Sequence, residues 1–225
     1  MSEAMTSELV IEAEWLLRNY WTKMRYAFQT DNGSWSDVDV LSYNPENKHL
    51  VVSESKVRGP KDAVYAYTKH TASKYGSILE YDDGNYFSFL RHLPILCSDN
   101  VIFSKFEKMV KRVTVQLVSN YIITTETKET ALSNVNDEIN RFDLPVNTDI
   151  RIDTTLDVIS NVLITERESV QGRRYGHPVL DIAREINRYF YPSVRYAGRD
   201  TNAVNNVRKE AIKSFIDALG ISSES

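Results

Sequence analysis

Apolar positions recur at helical spacing across residues 7–28, where Leu9, Ala13, Leu16, Leu17, Tyr20 and Met24 fall near one face and predict one amphipathic helix. Thr30-Asp-Asn-Gly-Ser34 then has the residues of a turn. Two runs rich in Val and Leu follow, Trp35–Tyr43 and His49–Val57, joined by Asn44-Pro-Glu-Asn-Lys48, and together they predict a β-hairpin. Gly59-Pro60 ends the second run. A helix is expected over 61–75, a loop at 82–85, and a helix over Phe103–Val113. Val113–Thr124 has strand composition, 129–142 helical composition, and Asp149–Asp153 that of a short strand. Thr154–Thr165 fits helix or strand. Pro178 suits the first position of a helix reaching Phe190. In the last segment Val204, Val207, Ala211, Phe215 and Leu219 keep helical spacing, with Gly220 as the stop. Helices alternating with strand pairs indicate an α/β or α+β fold around one central sheet.

Composition leaves that picture standing. The chain has 225 residues, 42% of them hydrophobic and 26% charged, which suits one globular domain with a sizeable core. We expect a single domain over 1–225, with a motif-bearing core over 10–125 and a helical elaboration over 126–225. No apolar run is long enough to span a bilayer, and the acidic N-terminal stretch (Glu3, Glu8, Glu12, Glu14) argues against a secretory signal. The single cysteine, Cys97, sits in an apolar run and has no internal partner, so a buried thiol and a cytoplasmic setting are expected. Net charge is −4, which argues against a protein that coats nucleic acid through many phosphate contacts. It argues less against a nuclease, which concentrates carboxylates to hold metal. His49, His70, His92 and His177 lack metal-ligand spacing, so zinc is not expected, and no glycine-rich phosphate loop is present.

The hairpin carries the chemistry. Side chains two apart on a strand share a face, which groups Asp37 with Asp39 and Glu54 with Lys56. A hairpin symmetric about the Glu46–Asn47 bond sets Asp39 opposite Glu54 and Asp37 opposite Lys56. A slip of one residue would separate the two acids. Neighbouring carboxylates repel unless a cation neutralises them, and Mg²⁺ suits hard oxygen donors while keeping waters for a phosphate to join. A metal so held polarises a phosphate and acidifies a bound water, and an adjacent lysine can orient that water or stabilise developing charge. Glu-x-Lys alone is weak, since it recurs at Glu46/Lys48 and Glu126/Lys128. Only the Glu54 copy follows an Asp-bearing partner strand; Glu126/Lys128 is its rival.

Ser36-Asp-Val-Asp-Val-Leu41, a short turn, and Leu50-Val-Val-Ser-Glu-Ser-Lys56 resemble the core of the PD-(D/E)xK nuclease superfamily, which includes type II restriction enzymes and Holliday-junction resolvases. The proline of the motif's name is absent, because Ser36 precedes Asp37. The resemblance covers residues 10 to 70. It implies a restriction endonuclease-like central mixed sheet of four strands flanked by helices, and Mg²⁺-dependent phosphodiester hydrolysis, with Mn²⁺ as a substitute. Position by position, Asp39 and Glu54 match the metal ligands, Lys56 the catalytic lysine, and Glu14 the helical glutamate of resolvase-like members, with Glu12 as the alternative. The implied partner is nucleic acid, DNA before RNA; cutting both strands takes two sites, which is compatible with a homodimer.

Two other readings stay open. The hairpin charges could form a solvent-facing cross-strand pair. The chain could also keep a nuclease fold while binding nucleic acid or a protein without cutting. Tyr65, Tyr67 and Tyr75, with Lys61, Lys69 and Lys74, could contact nucleic acid or belong to a core.

Overall fold

The computed structural model describes residues 6–56, 90–98, 110–119, 128–142, 144, 146–169, 176–190 and 201–220. The elements expected over 61–75, 82–85 and most of 103–113, together with Tyr65, Tyr67, Tyr75 and Glu126, lie outside them.

The predicted helix over 7–28 is two elements. Helix α1 spans Thr6–Leu17, and strand β1 spans Trp21–Gln29. Asn19, at φ 65°, makes the break, because a left-handed residue cannot continue a right-handed helix and Asn tolerates that conformation better than most. The amides of Asn19 and Tyr20 return to the carbonyls of Leu16 and Trp15 at 3.1 and 3.0 Å, closing the helix end. Beyond it, Trp-Thr-Lys-Met-Arg-Tyr-Ala-Phe is rich in aromatic and β-branched residues, and pairing with the next strand outweighs the helical spacing.

Strands β2 (Trp35–Asn44) and β3 (His49–Lys56) form the expected hairpin. Its turn is held by Asn44, whose side-chain oxygen accepts the amides of Glu46 and Asn47 at 3.0 Å each. After β3 come a 3-10 turn (Leu90–His92) and the short helix α2 (Leu93–Leu96). Strand β4 (Arg112–Ser119), helix α3 (Lys128–Ile139) and strand β5 (Asn147–Thr154) follow. The ambiguous segment after β5 is helical: α4 spans Thr155–Glu168. Asp157 accepts the Thr154 amide at 2.8 Å, and the Thr154 hydroxyl accepts the Asp157 amide at 3.1 Å, a reciprocal cap that starts it. Helices α5 (Pro178–Phe190) and α6 (Thr201–Ala218) complete the described elements.

Among the described residues the sheet is mixed and has five strands in the order β1-β2-β3-β4-β5, one more than the resemblance implies. β1–β2 and β2–β3 are antiparallel, whereas β3–β4 and β4–β5 are parallel. One face carries the apolar core, with Leu50 and Val52 from β3, Val113, Val115 and Leu117 from β4, and Ile152 from β5. Leu90, Leu93, Leu96 and Cys97 pack against them. Helix α1 packs against β1, β2 and β3. The face on which it makes its hydrogen bonds carries a polar group of Ser53, Ser55, Gln116, Arg151 and Asp153.

The chain forms two compact units, Met1–Ser160 and Asn161–Ser225, the division falling inside α4. In the second unit α5 buries Leu180, Ala183 and Asn187, one turn apart. Asn187 donates to Glu166 at 2.8 Å and to the Leu163 carbonyl at 2.9 Å. Phe190 meets Phe215 of α6 edge to face at 5.6 Å. No helix among the described residues is long and apolar enough to cross a membrane.

Candidate functional site

The β2–β3 ladder runs Tyr43 opposite Leu50, Leu41 opposite Val52 and Val40 opposite Ser53, where the pairing ends one residue short of Asp39 and Glu54. Backbone pairing gives way there to a side chain: Asp39 Oδ2 accepts the Ser55 amide at 2.7 Å. Strand N–H groups lie in the plane of the sheet, so the Asp39 carboxylate closes the ladder in that plane rather than standing on a face. On its other edge β3 stays paired with β4 through Lys56 and Ser119. Asp39 thus fills the point where β2 parts from β3, beside Glu54.

Alternation places Glu54 on the side opposite Ser53 and Ser55, whose hydroxyls reach Gln116 at 2.9 Å and Ser7 of α1 at 2.9 Å. Both acids are nearly buried, Asp39 at 6% and Glu54 at 5% exposure. The expectation that the two share one strict face is therefore modified: they are neighbours across a splayed ladder, one in the plane and one on the core side. Lys56 ends β3, two residues from Glu54.

A break in alternation explains the turn of Asp39 into the plane. Val38 joins the apolar core, and so do Leu41 and Tyr43, which cannot all share a face if alternation is strict. The β1–β2 ladder skips the Arg25–Asp39 step between Met24–Val40 and Tyr26–Val38. Arg25 stands there at φ 50°, a left-handed conformation that costs an ordinary residue about 1–2 kcal/mol. Its guanidinium reaches Glu8 of α1 at 2.7 Å, Asp37 at 3.0 Å and Asp39 at 3.3 Å. Burial works against the charge of Arg25, but the Asp37 hydrogen bond and the fields of Glu8, Asp39 and Asp37 outweigh it, and its pKa is raised.

Glu14 is not part of this group. It is fully buried beside other cations, with Arg151 at 2.8 Å, Arg18 at 3.2 Å and the Gln116 amide at 3.2 Å. Glu12 accepts from the Thr22 hydroxyl at 2.8 Å. The helical acid that shares a partner with Asp39 is Glu8, one turn and a half earlier than Glu14. A glutamate in phase with Ile11 and Trp15, both buried, was the available signal for it, but the helix register could not be set without the sheet. For Arg25 the sequence holds no signal, because it lies inside the stretch whose periodicity reads as helix.

Asp39 and Glu54 suit a hard divalent cation in donor type and number, since Mg²⁺ commonly takes one or two carboxylates and leaves its other positions to water and phosphate. Among the described residues no three His, Cys, Asp or Glu side chains are grouped as a set that could hold a metal ion.

A second polar place lies at the other end of β3–β5, a cavity of about 440 Å³ lined by Trp15, Tyr20, His49, Arg112 and Asp149 among others. Its groups answer one another. Tyr20 and His49 meet at 2.6 Å, His49 and Thr114 at 2.8 Å, Thr114 donates to Asp149 at 2.9 Å, and Arg112 grips Asp149 through two 2.8 Å bonds. Burial, and then Arg112, lower the pKa of His49.

No family model matches the chain, and no curated protein matches it. The crystal structure of a protein of unknown function, AF1548, aligns over 92% of this chain and 97% of its own, at 12% identity and a TM-score of 0.33, too low to bear on fold or function.

Proposed function

We propose that the protein is a metal-dependent nuclease of the PD-(D/E)xK type, cutting phosphodiester bonds in nucleic acid, with DNA as the favoured substrate. The observation that supports this reading is the Asp39 carboxylate bound to the Ser55 amide where the β2–β3 pairing ends, one residue along the strand from Glu54. The mixed sheet, antiparallel over β1–β3 and parallel beyond, agrees with the core that the motif resemblance implies. Asp39 and Glu54 would hold Mg²⁺ or Mn²⁺. Bound there, the cation supplies Lewis-acid polarisation of the scissile phosphate and a more acidic water. The Ser55 amide fixes one oxygen of Asp39 and so aims the other. Lys56 is assigned to orienting the attacking water or countering charge on the phosphate. Glu8 takes the supporting helical place that the sequence assigned to Glu14.

One observation favours a second reading, a nuclease fold that binds without cutting: the Arg25 guanidinium already lies against Asp39. Plasmid, single-stranded DNA and RNA incubated with Mg²⁺ or Mn²⁺ separate the two. Cutting by the wild type that disappears in Glu54→Ala and in Lys56→Ala supports the enzyme. Intact substrates, with binding retained, support the second reading.

A further inference from the structure

We infer that Arg25 is a built-in counter-cation of the site, which a divalent metal displaces from Asp39 on binding; this rests on the metal-site reading above. The geometry has three parts. First, one guanidinium serves acids from two other elements, and its reach is graded: 2.7 Å to Glu8, 3.0 Å to Asp37 and 3.3 Å to Asp39. The contact with Asp39 is the longest and the easiest to release, while Glu8 and Asp37 keep the displaced side chain nearby. Second, Asp39 divides its two oxygens between two duties. Oδ2 is committed to the Ser55 amide at 2.7 Å, and Oδ1 faces Arg25. The oxygen that changes partner is thus the one already aimed by a fixed backbone contact.

Third, the backbone holds Arg25 where glycine would be easier. A left-handed arginine inside a strand persists only where its surroundings over-determine it, and here the Cα sits at the ladder step facing Asp39. The conformation therefore keeps a permanent positive charge against carboxylates that would otherwise repel one another in a nearly buried place. Two consequences follow. The metal-free protein is folded, with Asp39 partly neutralised without metal. Metal affinity is set lower than the carboxylates alone would give, because every ion that binds must displace a guanidinium.

Mn²⁺ titration by calorimetry on the full chain tests this, with wild type, Arg25→Gly, Arg25→Gln and Asp39→Asn compared. Glycine suits the φ of 50° and removes the guanidinium; glutamine keeps length and polarity without charge, and serves if the first variant folds poorly. We expect Mn²⁺ to bind at least about tenfold more tightly to both Arg25 variants than to wild type, and not to bind Asp39→Asn. In EDTA the Arg25 variants should melt below wild type, and saturating Mn²⁺ should raise their melting temperature by more than it raises that of wild type. If wild type binds Mn²⁺ and the Arg25 variants bind it equally or more weakly, Arg25 is a structural support and the inference fails while the metal site stands. If folded wild type and folded Arg25 variants all fail to bind Mn²⁺, the metal-site reading itself falls, and the inference with it.

Discussion

Burial and pairing act on single side chains here in ways that can be measured. The Cys97 thiol packs among Leu90, Leu93 and Leu96, and burial pushes its pKa up to about 12. The thiolate is the reactive form, so Cys97 in the native protein should react with an aromatic disulfide reagent at least about a hundredfold more slowly than in denaturant. Equal rates would mean that the apolar packing around it does not persist in solution. His49 differs, because it sits between Tyr20 and Thr114 and its pKa is lowered from 6.5 by burial and by Arg112. Well above pH 6.5 neither the folded nor the unfolded chain protonates this ring, so it adds no pH dependence there. As pH falls through 6.5 the unfolded chain takes up a proton that the folded one refuses, and stability declines. His49→Gln should flatten that part of the stability–pH curve in chemical denaturation; an unchanged slope would show that other groups cause the decline.

At the scale of elements, the face of the sheet that bonds to α1 is stitched by polar groups as well as by apolar packing. Gln116 of β4 is its centre. Its oxygen accepts from Trp15 at 2.8 Å and Ser53 at 2.9 Å, and its amide donates to Glu14 at 3.2 Å and Asp153 at 3.1 Å. Gln116→Leu fills a similar volume but strips a partner from each of four buried groups. We expect a loss of about 2 kcal/mol or more in denaturant unfolding, since the Trp15 N–H and the Ser53 hydroxyl lose their partner at about 1–3 kcal/mol each, while Glu14 and Asp153 keep Arg151. A loss below about 1 kcal/mol would mean that the groups repair their bonds elsewhere. The boundary between α1 and β1 makes a matching prediction. Asn19 is left-handed, so Asn19→Gly should be tolerated and Asn19→Val should cost about 1–2 kcal/mol. Equal stabilities would remove the account of why the helix stops there. This boundary is where sequence reading failed, because Leu9, Ala13, Leu16, Tyr20 and Met24 keep helical phase across a break made by one backbone conformation.

For the whole molecule, a net charge of −4 and a pI of 5.7 bear on how nucleic acid could be held. At that net charge the phosphate-based part of affinity is expected to be small and sensitive to salt. If the carboxylates at Asp39 and Glu54 carry a divalent ion, that ion becomes a large share of the attraction. Fluorescence anisotropy with labelled duplex should then show binding weaker than about 10⁻⁵ M in EDTA at physiological salt, and at least about tenfold tighter with Ca²⁺ as a non-cutting substitute. Affinity that ignores the ion would point to a basic surface as the binding face and to the non-cutting reading.

Local sequence determined what depends on neighbours a few residues apart. The Asn44–Lys48 turn and the two-residue period of its flanks are enough for the β2–β3 hairpin and its register as far as Val40 opposite Ser53, and the helical spacing after Pro178 and Thr201 is enough for α5 and α6. Tertiary structure decided the rest. β1 is a strand because β2 offers it hydrogen bonds, and β5 extends the sheet because β4 has a free edge to pair with. Glu8 rather than Glu14 joins Asp39 because the sheet sets which turn of α1 lies over that step. Arg25 enters the site because a left-handed backbone, held by contacts distant in sequence, turns it toward three carboxylates. Periodicity records which way a side chain points along a regular element; it cannot record the one residue at which the element stops being regular.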